Sequence, residues 1–232
     1  LEGPDEASVL DGSPRSVIPG TACWIGGGAA RLYGMEDLPV ASLGLGLAAG
    51  SWAMGVVWEK TGRTLFAEDR LDVVLRLGRN PRLGARVGLA VWAVRGFDPR
   101  QAWDPALEVT LGSGTPWSLR FTWQVLEPPE WHGRSGRREL LRATWVGGGV
   151  GLALALDRDA DGNPAVGLHA MWRLDERLGL GIRADPVTGS LGPCLTAVTK
   201  GLMIRTSHLA HPALGLTHRV SFGVGNARAA PW

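Results

Sequence analysis

Hydrophobic and polar side chains alternate with a period of two along most of the chain. The pattern is clearest at residues 117–125, where Trp, Leu, Phe, Trp and Val alternate with Ser, Arg, Thr and Gln. Residues 71–77 and 152–156 alternate in the same way, with Gly and Ala between the leucines of the second segment. Because successive side chains of a β-strand point to opposite faces, this period predicts strands that each have one apolar face.

Marking every such segment predicts about fourteen strands. They span residues 22–33, 41–49, 51–60, 68–78, 83–94, 106–112, 117–126, 139–147, 150–158, 164–174, 178–185, 190–199, 202–209 and 214–225. Most are near the roughly 9–11 residues that a tilted strand needs to cross a bilayer, and single-chain bacterial barrels have even strand numbers. We therefore predict an all-β fold, a transmembrane antiparallel up-and-down β-barrel at residues 21–226, with short loops and tails at 1–20 and 227–232.

The predicted connections alternate between tight turns and mostly longer links. The tight turns fall at residues 50, 79–82, 113–116, 147–149, 175–177 and 200–201. Transmembrane barrels keep short turns at the periplasmic rim and longer loops outside. This arrangement predicts a bacterial outer-membrane protein with both termini in the periplasm and with outer-membrane lipid around its wall.

Two other folds are open to a chain with this pattern. A soluble β-sandwich or lipocalin-like barrel also alternates, but the second face here carries Arg, Thr, Gln and Asp among many Gly and Ala. That face is too polar for a dry core and too poor in large polar residues for a solvated exterior. Residues 38–58 carry no charge and are long enough for a membrane helix, yet Pro39 and a turn at Gly50-Ser51 favour two strands.

Composition and charge narrow the classes further. The chain has 34 Gly, 15 Pro and only 20% charged residues, which suits short strands joined by turns better than helices. With a net charge of +2 and no basic run, we expect no nucleic-acid partner. Cys23 and Cys194 fit neither a disulfide framework nor a metal knuckle, so we predict two free, buried thiols. Residues 1–20 show no signal peptide, so we expect the numbering to begin after its removal.

The second face of the predicted strands is rich in arginine. If the alternation is correct, seven arginines face the lumen: Arg76, Arg86, Arg120, Arg142, Arg173, Arg183 and Arg205. The main carboxylates facing them in the lumen would be Asp72, Glu108 and Glu59. Two interpretations stay open. The arginines brace the barrel through carboxylates and carbonyls, or they form an anion-attracting lumen or a socket for an acidic segment such as the acidic tail at residues 1–20.

One loop has the opening spacing of a calcium site. Asp157, Asp159, Asp161 and Gly162 follow the D-x-D-x-D-G order in which alternate carboxylates converge on one ion. Leu168 stands at the twelfth position, where an EF-hand has its bidentate Glu, so an EF-hand is excluded. A simpler calcium-binding outer loop and a polar hairpin turn both remain open, and Ca²⁺ is the one candidate cofactor.

A group of Ser and His residues near the C-terminal end is the candidate for hydrolysis. Ser207, His208, His211 and His218 are close in sequence, but no lipase-type motif surrounds the serine. We expect His218 to point toward lipid or a partner, and histidines in loops and interfaces to account for this group. The prediction is that the chain is not an enzyme and has no catalytic residues.

Four short segments resemble PorV/PorQ-type outer-membrane proteins. They are LDRDADGNP at 156–164, WRL at 172–174, LGLGIR at 178–183 and HPALGLTH at 211–218. The resemblance spreads diffusely over the last two-thirds of the chain and consists of strand and turn patterns. It implies membership of the superfamily of the fatty-acid transporter FadL, whose barrels have fourteen strands. PorV-like members are implied to act as docking sites for secreted cargo.

The resemblance and the departures from it set the functional expectations. FadL-type transporters have an N-terminal hatch, whereas about twenty residues precede the first predicted strand here, and the loops are shorter than in PorV-like proteins. We expect first an accessory or anchoring subunit of a larger, secretion-like envelope assembly, with other envelope proteins as partners. A FadL-like transporter or pore for hydrophobic or anionic small molecules is the alternative, and an outer-membrane lipid hydrolase comes third.

Overall fold

The computed structural model describes most of the chain as strands. It describes residues 21–35, 38–63, 65–78, 80–112, 116–126, 136–158, 164–175, 177–199 and 202–225. The strands are β1 (Thr21–Arg31), β2 (Pro39–Ala49), β3 (Trp52–Gly62), β4 (Phe66–Leu77), β5 (Arg82–Val94), β6 (Arg100–Leu111), β7 (Trp117–Leu126), β8 (Gly136–Gly147), β9 (Val150–Arg158), β10 (Pro164–Arg173), β11 (Leu178–Asp185), β12 (Ser190–Thr199), β13 (Leu202–His211) and β14 (Gly215–Gly225).

The strands form one closed antiparallel barrel in sequence order. Each strand pairs with the next along the chain, and β1 pairs with β14, from Trp24 opposite Gly225 to Arg31 opposite His218. Closure leaves no strand of the sheet with an open edge, so backbone hydrogen-bonding groups pair between neighbouring strands, as a hydrocarbon environment requires. The predicted fourteen-stranded up-and-down transmembrane barrel is therefore confirmed.

Large apolar side chains cover the outside of the barrel. On β7, Leu119 and Phe121 are 42% and 41% exposed, whereas the side chain of Arg120 between them is only 22% exposed. Buried apolar clusters are small; one consists of Val57 and Val74. The pattern is the inverse of a soluble protein, in which large apolar residues fill the interior, and it removes the soluble sandwich and the lipocalin-like barrel.

Four outward-facing tryptophans lie at the rim of short turns. Trp52 follows the turn at residues 50–51, Trp117 begins β7, and Trp172 lies next to the end of β10. Trp145 of β8 packs against Trp117 with ring centroids 6.1 Å apart. Aromatic rings at this level form the interfacial girdle that transmembrane barrels carry at the edges of their apolar band.

The alternative of a membrane-spanning helix at residues 38–58 is excluded. This segment contains β2, a turn at Gly50 with φ of +58°, and β3. In the described part of the chain, no helix is long and apolar enough to cross a membrane.

Strand β6 begins six residues earlier than predicted, at Arg100 instead of residue 106. Proline cannot donate a backbone hydrogen bond, so Pro105 lacks one of the ladder donors of this strand. Residues 100–105 pair with β5, where Pro105 lies opposite Val87, whereas the register with β7 starts only at Ala106. The missing donor is tolerated because pairing with β5 holds this half of the strand.

Smaller differences concern strand ends and one cysteine. Strand β1 ends at Arg31, because a 3-10 turn at Leu32–Gly34 replaces its predicted last residues. Strand β8 begins at Gly136 rather than at residue 139. Neither cysteine forms a disulfide, but only Cys194 is buried, so the expectation of a second buried thiol is wrong. Cys23 lies opposite Leu47 on the outward face, which explains its exposure.

Candidate lumen site

All seven arginines selected from the sequence stand at strand positions that face the lumen. They are Arg76, Arg86, Arg120, Arg142, Arg173, Arg183 and Arg205. Arg76 shares its face of β4 with buried Asp72, and Arg205 lies opposite Thr196, which is 2% exposed. Arg120 and Arg142 lie opposite each other on β7 and β8. Arg173 stands at the rim of short turns, where it is exposed.

One ion pair joins β4 to β6 across the intervening strand. Arg76 Nε donates to Glu108 Oε1 at 3.0 Å, and its Nη2 donates to Oε2 at 3.2 Å. Gly84 of β5 lies between the two side chains, and a Cβ there would be 3.1 Å from Glu108 Cβ. The glycine therefore leaves the space in which this two-bond pair forms.

A second network lies next to it on the same wall. Arg70 Nε donates to Asp72 Oδ2 at 2.8 Å, and Arg70 Nη1 is 3.2 Å from Asp104 Oδ2. Arg86 Nε lies 3.8 Å from Asp72 Oδ1. These residues come from β4, β5 and β6, and Gly88 of β5 faces both aspartates in the register. Arg70 therefore links two carboxylates over a strand position that has no side chain.

The aspartate that opens the predicted calcium loop belongs to this wall. Asp157 is the last lumen-facing residue of β9, and each of its carboxylate oxygens accepts a hydrogen bond from Arg138 Nε at 3.0 Å. Asp159 and Asp161 lie outside the described residues. Among the described residues there is no group of three or more His, Cys, Asp or Glu side chains suited to a metal ion. Calcium binding at this loop stays a prediction.

We name the side chains on β4, β5, β6, β8 and β9 the ion-paired wall. Its members are Arg70, Asp72, Arg76, Arg86, Asp104, Glu108, Arg138 and Asp157. The carboxylates of this wall are each within 4 Å of a guanidinium, so their charge is balanced locally. Five of the seven arginines from the sequence analysis lie elsewhere on the lumen face.

The other side of the lumen holds a cavity of about 110 Å³ that we name the arginine pocket. Its polar lining comes from β8 and β10–β14: Arg142, His169, Arg183, Cys194, Arg205, Ser207, Arg219 and Ser221. Its remaining lining is Leu140, Ala153, Ala155, Gly167 and Leu168. Of the described residues that line the pocket, four are arginines and none is an aspartate or glutamate.

One histidine connects two of the pocket side chains. His169 Nε2 lies 3.1 Å from Arg205 Nη2 and 3.2 Å from Cys194 Sγ. A guanidinium can only donate hydrogen bonds, so Nε2 accepts from Arg205 and the ring proton belongs on Nδ1. The imidazole is then neutral, and the thiol lies at the same end of its ring.

Several of these polar residues were not assigned to the lumen from the sequence. Arg70, His169 and Arg219 were not selected, and Cys194 was named only as a buried thiol, although the alternation places all four on the lumen face. Extending the same parity to every charged or polar residue of the predicted strands would have found these four. Asp104 and Arg138 could not be found in this way, because the predicted β6 and β8 began after them.

The structure separates the candidate hydrolase residues. Ser207 lines the arginine pocket, whereas its neighbour His208 faces outward, where its Nδ1 lies 2.7 Å from Nδ1 of His218. His211 Nδ1 accepts the backbone N–H groups of Ala213 and Leu214 in the last turn. Ser207 and the two outward histidines are therefore on opposite sides of the barrel wall and cannot act as one catalytic group.

Comparison with protein-family models and with curated proteins gives no match. The fold is similar to that of the outer-membrane protein Omp33 from Acinetobacter baumannii, with a TM-score of 0.56, 9% identity, and coverage of 87% of this chain and 96% of that chain. A mutant porin of Rh. blastica gives a TM-score of 0.48 at 8% identity, with coverage of 89% of this chain and 99% of the porin. Outer membrane phospholipase A from Escherichia coli gives a TM-score of 0.46 at 8% identity, with coverage of 91% of this chain and 94% of the phospholipase. At these identities the likeness concerns the fold alone.

Proposed function

We propose that this barrel lies in the bacterial outer membrane and lets small anions pass through its lumen. The observation that carries the proposal is the lining of the arginine pocket, which combines four guanidinium groups with no carboxylate among the described lining residues. A low-dielectric wall with one sign of charge concentrates counter-ions and attracts anions.

The separation of charge within the lumen supports the same proposal. The carboxylates Asp72, Asp104, Glu108 and Asp157 all lie within 4 Å of arginines of the ion-paired wall. Their charges are therefore balanced where they stand and do little to repel an anion near the arginine pocket. In this proposal the ion-paired wall braces the barrel and the arginine pocket attracts anions.

Conductance in planar lipid bilayers tests the proposal. With purified protein and a gradient of KCl, we expect a reversal potential with the sign of anion selectivity. Replacing Arg183→Gln and Arg219→Gln together should move this potential toward zero, because two of the four pocket charges are lost. Arg177→Gln, an exposed position in a short turn, removes the same charge outside the lumen and should leave selectivity as it was. Cation selectivity, or a closed barrel without conductance, would contradict the proposal.

The orientation of the barrel is part of this proposal. Strand β1 begins and β14 ends at the rim that also holds the turns at residues 50–51 and 148–149. Transmembrane barrels keep short turns on the periplasmic side, so both termini are assigned to the periplasm. An epitope inserted at residues 212–214, at the opposite rim, should bind antibody on intact cells, and one inserted at 148–149 should not.

A second candidate is the accessory or anchoring subunit of an envelope assembly. The feature that favours it is a polar cluster on the apolar outer wall, made by His208 and His218 with Arg31 opposite His218 in the register. Such a cluster gives another membrane protein a polar contact point within the lipid-facing surface. Co-purification of a complex of fixed stoichiometry that is lost when both histidines become Leu would support this role. Recovery of the same complex with the double variant would contradict it.

A further inference from the structure

We propose that the arginine pocket is a binding site for a phosphate-type oxyanion. The inference rests on the proposed function and deepens it, since it assigns the class of anion that the lumen selects. Three features support such a site: the arrangement of donors across β13 and β14, the small residues on β9 and β10, and the size of the cavity.

Arginine and serine alternate across two neighbouring strands of the pocket. Arg205 of β13 lies opposite Ser221 of β14, and Ser207 of β13 lies opposite Arg219 of β14. Each of the two arginines therefore has one serine opposite it on the neighbouring strand and another serine two residues away on its own strand. The serines leave room between the guanidiniums and add hydroxyl donors to the same space.

Arg142 and Arg183 complete the donor set from β8 and β11. Guanidinium groups present paired N–H donors in a planar fork that matches the oxygens of phosphate, and these charge-assisted bonds are among the stronger ones in proteins. An anion with several oxygens can use more than one fork at once, whereas chloride offers a single acceptor atom. The arrangement therefore favours an oxyanion over chloride.

Small residues on β9 and β10 make the space. Ala153, Ala155 and Gly167 line the cavity beneath the arginines, and Gly167 lies opposite Ala155 in the register. The resulting volume of about 110 Å³ is somewhat smaller than a cavity of about 150 Å³ that holds a benzene molecule. One phosphate-sized group fits, and a bulky organic body would have to extend into the lumen.

Cys194 provides a natural reporter for this site. It lines the pocket, whereas the other cysteine, Cys23, faces outward, so Cys23→Ser leaves one thiol, inside the pocket. In this background we would measure the rate at which a small methanethiosulfonate reagent labels the detergent-solubilised barrel. Inorganic phosphate should slow the labelling, and chloride at the same ionic strength should slow it far less.

Variants of the pocket test whether the arginines cause this protection. Arg183→Gln and Arg219→Gln should each raise the half-protecting phosphate concentration by about tenfold, roughly the effect of losing one hydrogen bond to a charged group. Arg177→Gln should leave it unchanged. Isothermal titration calorimetry with phosphate on the same proteins gives the affinity even if the buried thiol does not react. Equal protection by chloride, no heat of phosphate binding, or unchanged affinity in both pocket variants would overturn the inference.

Conductance of the same samples separates this inference from the proposed function. Phosphate binding without conductance would leave the pocket as a binding site and remove the pore. Anion conductance without phosphate binding would leave the pore and remove the selective site.

Discussion

Gly88 faces Asp72 across the β4–β5 register, and the Asp72 carboxylate occupies the space that a Cβ at position 88 would need. Arg70 holds this carboxylate through its Nε at 2.8 Å, and its Nη2 would lie 3.3 Å from the same Cβ. A side chain at position 88 would therefore displace the Asp72 carboxylate from Arg70. The ion-paired wall depends on the absence of a side chain at this position.

Replacing Gly88→Ala should destabilise the barrel by about 1–3 kcal/mol, the usual cost of overpacking a filled site. The added methyl group pushes the Asp72 carboxylate away from Arg70. The measurement is the denaturant midpoint of unfolding in detergent, followed by the heat-dependent shift in gel mobility. Gly151→Ala on β9 is the matched control, because its nearest neighbours would be 3.9 Å away. Equal stability of the two variants would contradict the proposed role of the glycine.

Arg76 and Glu108 should behave as one coupled unit. Arg76→Gln removes the two-bond partner of Glu108, whose side chain is 15% exposed, and leaves Arg120 Nε, 3.7 Å from Glu108 Oε1, as a weaker partner. Removal of one member of a buried pair costs about 3–5 kcal/mol, so the loss here should lie below that range. The double variant Arg76→Gln with Glu108→Gln should recover part of this loss, because it also removes the carboxylate that the single variant leaves underpaired. A double-mutant cycle in the same unfolding assay measures the coupling. Additive losses would mean that the pair contributes no more than two independent side chains.

A charged residue on the outer wall should destabilise the barrel more strongly the closer it lies to the membrane midplane. Leu154 lies in the middle of β9 and faces outward, whereas Leu178 begins β11 at the rim of short turns. Arginine costs about 2–4 kcal/mol at the membrane midplane and about 0–1 kcal/mol near an interface. Leu154→Arg should therefore lower stability in lipid vesicles much more than Leu178→Arg. Equal effects of the two variants would show that position 154 does not face hydrocarbon.

Alternation was sufficient to predict fourteen strands and the faces of the side chains within their predicted bounds. The period of Leu152, Leu154 and Leu156 is set by β-geometry alone, so β9 and its outward face follow from local sequence. The prediction missed residues 100–105 of β6, which pair with β5 although the register with β7 starts only at Ala106. How far each strand extends along the wall depends on the closed register, which local sequence does not contain.

The contacts within the lumen were beyond prediction for a related reason. Arg76 and Glu108 are 32 residues apart, with β5 between them. Parity places both side chains inside the barrel, but only the strand stagger brings them to the same level. The same holds for His169 and Cys194, which come from β10 and β12 and meet at 3.2 Å over β11. Gly181 of β11 leaves that space open, since a Cβ there would be 2.7 Å from Cys194 Sγ.

The pairing of β1 with β14 makes the strand order circular. Eight residue pairs join these strands, and the start of the first and the end of the last are neighbours at one rim. A circular permutant can be made by joining these two ends with a peptide linker and placing the new chain termini between Gly148 and Gly149, at the same rim. Every strand of the permutant would keep the same two neighbours. Such a permutant should insert and close as the same barrel, because its folded state depends on cyclic adjacency and not on which strand is synthesised first.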